Sequence, residues 1–258
     1  MIMIEAANLG FEYPDGTSIF QDFNLSVGAG EAWAILGPSG CGKTTLLYLL
    51  AGLLHPVSGT ITIDSHLLNR PRPKTGMILQ DYGLLPWATV YENAALGYRL
   101  RNFYGPDGRH VPEDGNIEDI ELIIMPWLER LGLSELKEHY PGQISGGQRQ
   151  RTAIARTLAL NPDIVLMDEP FASLDAPTRE SLQDLLLELR DEGRLTSIIV
   201  THAIEEAALL GRFILVLSDP PIHSPQIISN PHGASPSFRE TEGYMSMCRT
   251  LRSLLEPI

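Results

Sequence analysis

The sequence predicts an α/β fold with a mostly parallel central sheet. Four continuous apolar segments have the length of strands buried on both faces: AWAILG (32–37), IVLMDE (164–169), SIIVTH (197–202) and FILVLS (213–218). Helical patterns follow the first three segments, and this alternation is typical of a doubly wound core. A glycine-rich phosphate-binding signature separates the first segment from its helix, which predicts that the core binds a nucleotide.

Two parts of the chain depart from this alternation. The N-terminal segment MIMIEAANLGFEY and the alternating segment SGTITID predict a small antiparallel β subdomain beside the core. Residues 81–160 contain the helical patterns VYENAALGYRLR and DIELIIMPWLERLGL and no clear strand, so we expect an inserted helical subdomain. Within it, the turn-rich residues 104–116 predict a surface loop.

The composition changes again after Ser218. Residues 219–258 are rich in Pro and Ser, so we expect a loosely ordered tail with a short helix at about Tyr244 to Leu255. The predicted organisation is therefore one nucleotide-binding domain over 1–218, followed by this tail.

Composition disfavours several classes of function. The 258 residues carry a net charge of -13, and nucleic acid binding requires clustered Lys and Arg, so no nucleic acid partner is expected. Cys41 and Cys248 make no disulfide framework and indicate a reducing compartment. The N-terminus lacks signal-peptide features and no apolar segment approaches 18 residues, so we expect any membrane association to come through a partner.

The first phosphate site is GPSGCGKTT. It matches GxxxxGK[ST], in which backbone N–H groups wrap the phosphates, Lys43 neutralises them and the Thr44 hydroxyl binds Mg²⁺. Cys41 is either a tolerated small residue or a reactive thiol, because a helix N-terminus lowers a thiol pKa. The predicted nucleotide-binding residues here are Gly37, Pro38, Ser39, Gly40, Cys41, Gly42, Lys43, Thr44 and Thr45.

A second anion site is predicted at SGGQ, residues 145–148. Ser145 is a good N-cap, Ile154 and Leu158 share a face, and Asn161-Pro162 ends the helix. Free N–H groups and the positive end of the helix dipole favour an anion at this N-terminus.

Six elements follow one another along the chain: the phosphate loop, Gln80 in MILQD, SGGQ, IVLMDE, SLD at 173–175 and His202 in VTH. Each alone has an ordinary explanation, for example as a helix cap, a strand end or a loop histidine. In this order and spacing they resemble the ATP-binding-cassette (ABC) ATPases, over nearly the whole chain up to Ser218. The resemblance implies the ABC ATPase core of the P-loop NTPase fold.

The resemblance also implies roles for these residues. Two cassettes would stack head to tail, with each ATP between the phosphate loop of one and the SGGQ segment of the other. Asp168 would hold Mg²⁺ and Glu169 would be the general base. Gln80 would contact Mg²⁺ or the attacking water, and His202 would hydrogen-bond the γ-phosphate.

The remaining roles concern the partner chain and the adenine base of ATP. Tyr13 in FEYPDG would stack on adenine, although an aromatic residue in an N-terminal strand is often part of the core. Asp175 would lie at the dimer seam. The residues that would contact the ATP held by the partner chain are Ser145, Gly146, Gly147 and Gln148.

LLPWATV and FASLDAPTRESLQ resemble the importers of the nitrate, sulfonate and taurine class. Leu84, Leu85 and Trp87 either belong to the subdomain core or line a groove for a permease helix. The resemblance implies a second, in the simplest case identical, cassette chain, transmembrane permease subunits and, indirectly, a substrate-binding protein. The chain would then lie peripherally at the cytoplasmic face of the inner membrane.

The predicted function is the ATPase subunit of an ABC importer for a small solute, with an anion as one candidate. The alternatives are a soluble cytosolic ABC ATPase of an assembly complex, as in iron–sulfur cluster biogenesis, and the ATPase of an exporter or lipid-trafficking system. DNA-repair members carry a long coiled coil between the Walker motifs, translation factors carry two cassettes in one chain, and small-molecule kinases lack SGGQ. These three classes are therefore disfavoured.

Overall fold

The computed structural model describes residues 1–104, 120–172, 174–193 and 195–255, without the side chains of 101–104 and 191–193. They form two compact units. The first comprises Met1–Thr75, Asp163–Glu169 and Gln183–Ile258, and the second comprises Gly76–Pro162 and Pro170–Leu182. Ser173 and all of the predicted surface loop beyond residue 104 lie outside the described residues.

The strands belong mostly to the first unit. β6 begins at the last residue before Gly76 and continues into the second unit. In chain order the strands are β1 (Ile2–Glu12), β2 (Ser18–Gly28), β3 (Ala32–Leu36), β4 (Ser58–Ile63), β5 (His66–Leu67), β6 (Thr75–Ile78), β7 (Ile164–Asp168), β8 (Thr196–Val200), β9 (Phe213–Val216) and β10 (Gln226–Ser229).

The helices are divided between the units. The first unit contains α1, α6 and α7, the second contains α2 to α4, and α5 begins in the second and ends in the first. Their bounds are α1 (Lys43–Leu50), α2 (Val90–Tyr104), α3 (Ile120–Arg130), α4 (Gly146–Leu158), α5 (Ala176–Gly193), α6 (Ile204–Leu210) and α7 (Glu242–Leu255). In the described ranges, no helix combines the length and the apolar character that a membrane span requires.

The central sheet of the first unit is mostly parallel. Its strand order is β10–β9–β3–β8–β7. Strand β3 is parallel to both of its neighbours, β8 and β9, and β7 is parallel to β8. Every residue of β3 and β7 is buried, because α6 packs on β3 and α1 packs on β7. A separate antiparallel sheet has the order β2–β1–β4–β5. Both predicted sheets are therefore confirmed.

The C-terminal segment is more ordered than its composition predicts. The expected loose tail after Ser218 instead contains β10, which pairs antiparallel with β9 at the edge of the central sheet. The predicted terminal helix is present as α7 and packs against α6. Composition suggested a loosely ordered tail because the segment is rich in Pro and Ser, but QIIS supplies a short strand that an open sheet edge can pair.

The second unit is helical, with α2 packed against α3 and α4. Asn93 in α2 is fully buried and fixes the segment that precedes the helix. Its Oδ1 accepts a hydrogen bond from the N–H of Leu85 at 2.7 Å. Its Nδ2 donates to the carbonyls of Leu85, Ala88 and Thr89 at 3.1, 2.9 and 3.0 Å. One amide therefore contacts four backbone groups of this turn.

We expect Asn93→Ala to lower the free energy of unfolding by about 2–4 kcal/mol, because several buried backbone groups lose their partner. Chemical denaturation monitored by circular dichroism measures this change. The matched control is Asn69→Ala, at an exposed asparagine, with an expected change within about 0.5 kcal/mol. Equal unfolding midpoints for the two variants would contradict the structural role of Asn93.

Candidate nucleotide-binding site

The phosphate loop joins β3 to α1 in the first unit, as the sequence predicts. Gly42 is the N-cap residue of α1 and has a φ of 100°, which favours glycine. A Cβ at Gly42 would also lie 2.4 Å from Cγ2 of Ile19. At the other end of the loop, a Cβ at Gly37 would lie 2.7 Å from the carbonyl oxygen of Leu217. Both glycines are therefore required by the shape of the turn.

The loop holds its lysine by two backbone contacts. Nζ of Lys43 donates hydrogen bonds to the carbonyl oxygens of Gly37 and Pro38, both at 2.8 Å. The ammonium group thus lies against the loop through which the chain enters α1. A phosphate bound to the N–H groups of this loop would meet a positive charge that is already in place.

Asp168 ends β7 and is almost fully buried, at 5% exposure. Burial raises the pKa of Asp168, and the hydrogen bond from the Thr44 hydroxyl and the charge of Lys43 act in the opposite direction. Glu169 adds a repulsion that also raises this pKa. The carboxylate is therefore poised beside a hydroxyl and an ammonium group, at the carboxyl end of a parallel strand.

The donor set beside the phosphate loop fits Mg²⁺ bound together with a nucleotide. Among the described residues, no group of three or more His, Cys, Asp and Glu side chains could hold a metal ion. The Thr44 hydroxyl and the Asp168 carboxylate nevertheless provide two linked oxygen donors. Mg²⁺ is commonly held by one or two carboxylates together with phosphates and waters.

Glu169 has an unusual backbone conformation. Its φ is 48°, in the left-handed region, and its N–H donates to the carbonyl of Val200 at 2.9 Å. Nδ1 of His202, which follows β8, lies 2.7 Å from Oε2 of Glu169. The side chain of Glu169 is 14% exposed and that of His202 is 71% exposed. A largely shielded carboxylate is thus held by an accessible imidazole. Residues with a strained backbone, such as Glu169, concentrate at functional sites.

Tyr13 lies beside the start of α1. Its hydroxyl is 2.8 Å from Oγ1 of Thr45, and its ring meets that of Phe11 edge-on with centroids 5.0 Å apart. Tyr13 is 37% exposed, so it is not a core residue. An accessible aromatic face next to the phosphate loop is what stacking on a base requires.

Cys41 is buried at 1% exposure, and this burial raises the pKa of its thiol. The charge of Lys43 lowers that pKa by a smaller contribution. The structure therefore favours the interpretation of Cys41 as a small packed residue and argues against a reactive thiol. The reactive-thiol alternative considered the helix N-terminus alone, whereas burial of Cys41 disfavours the charged thiolate.

We expect both thiols to react slowly with Ellman's reagent at pH 8. Burial raises the pKa of Cys41 and of Cys248, so the thiolate that reacts is scarce below the raised pKa and increases only at more alkaline pH. The native chain should label about tenfold or more slowly than the chain in urea. Rapid native labelling at Cys41, located by peptide mass spectrometry, would restore the reactive-thiol interpretation.

The second group of predicted residues lies in the second unit. Ser145 caps α4 as predicted: Oγ accepts from the N–H of Gln148 at 3.2 Å, and Oε1 of Gln148 accepts from the N–H of Ser145 at 2.8 Å. A Cβ at Gly147 would lie 3.0 Å from Cγ2 of Thr178. The two glycines, Gly146 and Gly147, therefore occupy the first turn of a well-capped helix, with backbone N–H groups that the cap does not use.

Two further predicted residues lie in this unit. Asp175 precedes α5 and accepts hydrogen bonds from the N–H and the hydroxyl of Thr178, both at 3.0 Å, which lower the pKa of Asp175. Gln80 is exposed and follows β6. Asp175 thus has a structural role as a helix cap in addition to the role that the sequence suggests.

Two arginines of α4 were not among the residues predicted from the sequence. Arg149 donates to the carbonyl of Ile144 at 2.8 Å and lies 5.7 Å from the ring centre of Tyr82. Arg156 donates to the carbonyls of Tyr82 and Gly83, and burial lowers the pKa of its guanidinium group. They hold the segment after Gln80 against α4. Their spacing of seven residues places both arginines on one face of α4. This spacing is the feature of the sequence that could have identified them.

Comparison with known proteins identifies the family of this chain. The profile described as ABC transporter matches residues 20–172. The chain belongs to the ABC transporter family. Two relatives of this ABC protein are named taurine import ATP-binding protein. The relative from Roseobacter denitrificans is 40% identical over 222 residues, 85% of this chain and 78% of the relative. That from Ruegeria pomeroyi is 36% identical over 262 residues, 98% of this chain and 93% of the relative.

A solved structure supports the same conclusion for this ABC protein. It is the dimeric structure of a post-hydrolysis state of an ATP-binding cassette bound to ADP and Pi. It is 31% identical, with a TM-score of 0.76, and the match covers 88% of this chain and 99% of that chain. The family, the α/β cassette fold and the ATPase activity predicted from the sequence are therefore confirmed.

Proposed function

We propose that this ABC protein is the ATP-hydrolysing subunit of an importer for a small sulfonate or a related anionic solute. The observation that carries the proposal is the contact between Glu169 and His202. Glu169 directly follows the buried Asp168, and the same unit contains a complete phosphate loop. The relatives named for taurine import support the importer class and the sulfonate chemistry of the solute.

Nucleotide binding follows from the first unit. The backbone of residues 37–42 wraps the phosphates, and Lys43 exchanges its two carbonyl contacts for phosphate oxygens. Thr44 and Asp168 would hold Mg²⁺, which would neutralise phosphate charge. Tyr13 stacks on the adenine, with its ring held in place by the hydrogen bond to Thr45.

Hydrolysis depends on the pair at the strand ends. Glu169 orients the attacking water and accepts its proton. Nδ1 of His202 is used by Glu169, so Nε2 is the ring nitrogen that remains for the γ-phosphate. For Gln80, a role at the metal or the attacking water is what the family resemblance implies. The shielding of Glu169 keeps bulk water from competing for the carboxylate.

The second phosphate-binding segment acts on a partner chain. Because Ser145 caps only the N–H of Gln148, the N–H groups of Gly146 and Gly147 are available to the γ-phosphate held by a second cassette. Hydrolysis therefore requires a dimer. The dimeric cassette among the related structures supports this arrangement.

The LLPWATV segment provides the contact with the permease. Trp87 is 72% exposed, while Leu84 and Leu85 are only partly buried. An exposed tryptophan on a turn that Asn93 holds rigid is a suitable anchor for a short permease helix. The chain then lies at the cytoplasmic face of the membrane through this contact, and a substrate-binding protein delivers the solute on the other side.

A pull-down tests the proposal. Tagged Glu169→Gln is expressed in the native host, the membranes are solubilised in mild detergent with MgATP, and mass spectrometry identifies the co-purifying proteins. We expect a multi-span membrane protein, and we expect its loss with the additional change Trp87→Ala. Leu122→Ala, at another exposed apolar residue, is the matched control. Recovery of soluble partners alone, in good yield, would instead support the cytosolic assembly complex.

A further inference from the structure

The C-terminal part of the first unit contains a cleft of about 680 Å³. None of its lining residues belongs to the nucleotide site. Its walls are the end of α5, Arg212 between α6 and β9, residues 231–235, a 3₁₀ turn at Pro236–Glu240 and the start of α7. This volume lies within the range of small-molecule sites. The cleft therefore has room for an organic ligand and not only for an ion.

Two arginines and a histidine line this cleft. They are Arg190, Arg212 and His232, and no lining side chain is acidic, in a chain whose net charge is -13. Arg212 is exposed, and in the described part of the chain its guanidinium group has no ion-pair partner. By contrast, Arg239 is paired with Asp184 at 3.3 Å. The charge of Arg212 is thus available to a ligand.

The loop that forms one wall is rigid. Asn230 is buried at 1% exposure, and its Nδ2 donates to the carbonyls of Ala208 and Gly211 at 2.7 and 2.8 Å. The N–H of Ala234 donates to the carbonyl of Leu209 at 2.6 Å. These bonds fix the loop to the end of α6. A preformed cleft loses little conformational entropy when it binds a ligand.

We propose that this cleft binds a small organic anion with a carboxylate, sulfonate or phosphate head group. The guanidinium group of Arg212 offers two parallel N–H donors to the oxygens of such a group. Ser235 and Ser237, whose hydroxyls are 3.0 Å apart, add polar donors. Phe238, a largely buried residue at 5% exposure, is the aromatic member of the lining and offers apolar contact to the organic part. The site is separate from the ATP site and does not depend on the proposed transport function.

Isothermal titration calorimetry of the full chain tests the proposal, with ethanesulfonate and inorganic phosphate as probes and saturating ADP in the phosphate loop. We expect one ligand per chain for at least one probe, with affinity that falls as salt rises. Arg212→Gln should weaken binding by about tenfold or more. Arg249→Gln removes the same charge from an exposed position on α7 outside the cleft and should leave the affinity unchanged.

Three outcomes would overturn the proposal. The first is no binding of either probe up to about 10 mM, which is weaker than a specific site requires. The second is equal affinity for Arg212→Gln and Arg249→Gln. The third is binding that disappears in Lys43→Ala, because it would then belong to the phosphate loop. Arg212→Lys keeps the charge and should lose less affinity than Arg212→Gln, and the thermal midpoint of each variant establishes that it is folded.

Discussion

Glu169→Gln is expected to bind ATP with wild-type affinity and to lose turnover by about 10²–10⁴-fold, the usual contribution of a general base. Glutamine keeps the size and one carbonyl oxygen of the side chain, so the contact with His202 survives, but it cannot accept a proton from water. Because hydrolysis no longer separates the cassettes, ATP should hold the variant as a dimer on size-exclusion chromatography. Phosphate release and fluorescent-nucleotide binding measure the two effects separately.

The matched control is Glu188→Gln, at an exposed carboxylate of α5 outside the nucleotide site, which should leave turnover unchanged. His202→Ala should also reduce turnover, because Glu169 loses its partner and the γ-phosphate loses a donor. Turnover of Glu169→Gln at the wild-type rate would reject the assignment of Glu169 as the base. Loss of ATP binding in this variant would instead indicate that the carboxylate supports the phosphate loop.

Ser145→Arg is expected to leave ATP binding by the single chain within about twofold and to reduce turnover by about 100-fold or more. The arginine occupies the position where the ATP of the partner chain would meet the N–H groups of Gly146 and Gly147. The affinity should be spared because Lys43 and its loop lie in the other unit of the chain. Lys43→Ala should lose both binding and turnover, which distinguishes the two phosphate-binding segments.

Loss of the cap also destabilises α4 by about 1 kcal/mol, so the thermal midpoint of Ser145→Arg must be measured. Ser246→Arg, at an exposed serine of α7, is the control for the added charge. In the wild-type protein the activity per chain should rise with protein concentration, because dimer formation limits it. Full activity of Ser145→Arg, or activity independent of concentration, would contradict hydrolysis between two chains.

The parts of the fold that the sequence predicted well are those with dense local signals. The buried strands read as continuous apolar runs, and Ser145 and Gln148 stand at capping-box spacing. β10 was missed because a strand of four residues at a sheet edge is created by its pairing with β9 and not by its own pattern.

The site shows the same division. Motif positions such as Lys43 and Asp168 follow from spacing, whereas the supporting contacts depend on residues far apart in the chain. Asn93 looked like any polar helix residue until its four backbone contacts were seen. The burial of Cys41 likewise depends on the packing around Gly37, which no local pattern reports.

The left-handed backbone of Glu169 has a consequence for the evolution of this chain. A side chain at such a position costs roughly 1–2 kcal/mol relative to glycine. Selection for stability alone would therefore favour glycine directly after the last residue of β7. Drift towards an inactive cassette with a relaxed backbone at this position is opposed by the need for turnover and by loss of the contact with His202. In a copy of this gene released from transport, position 169 should be among the first to change.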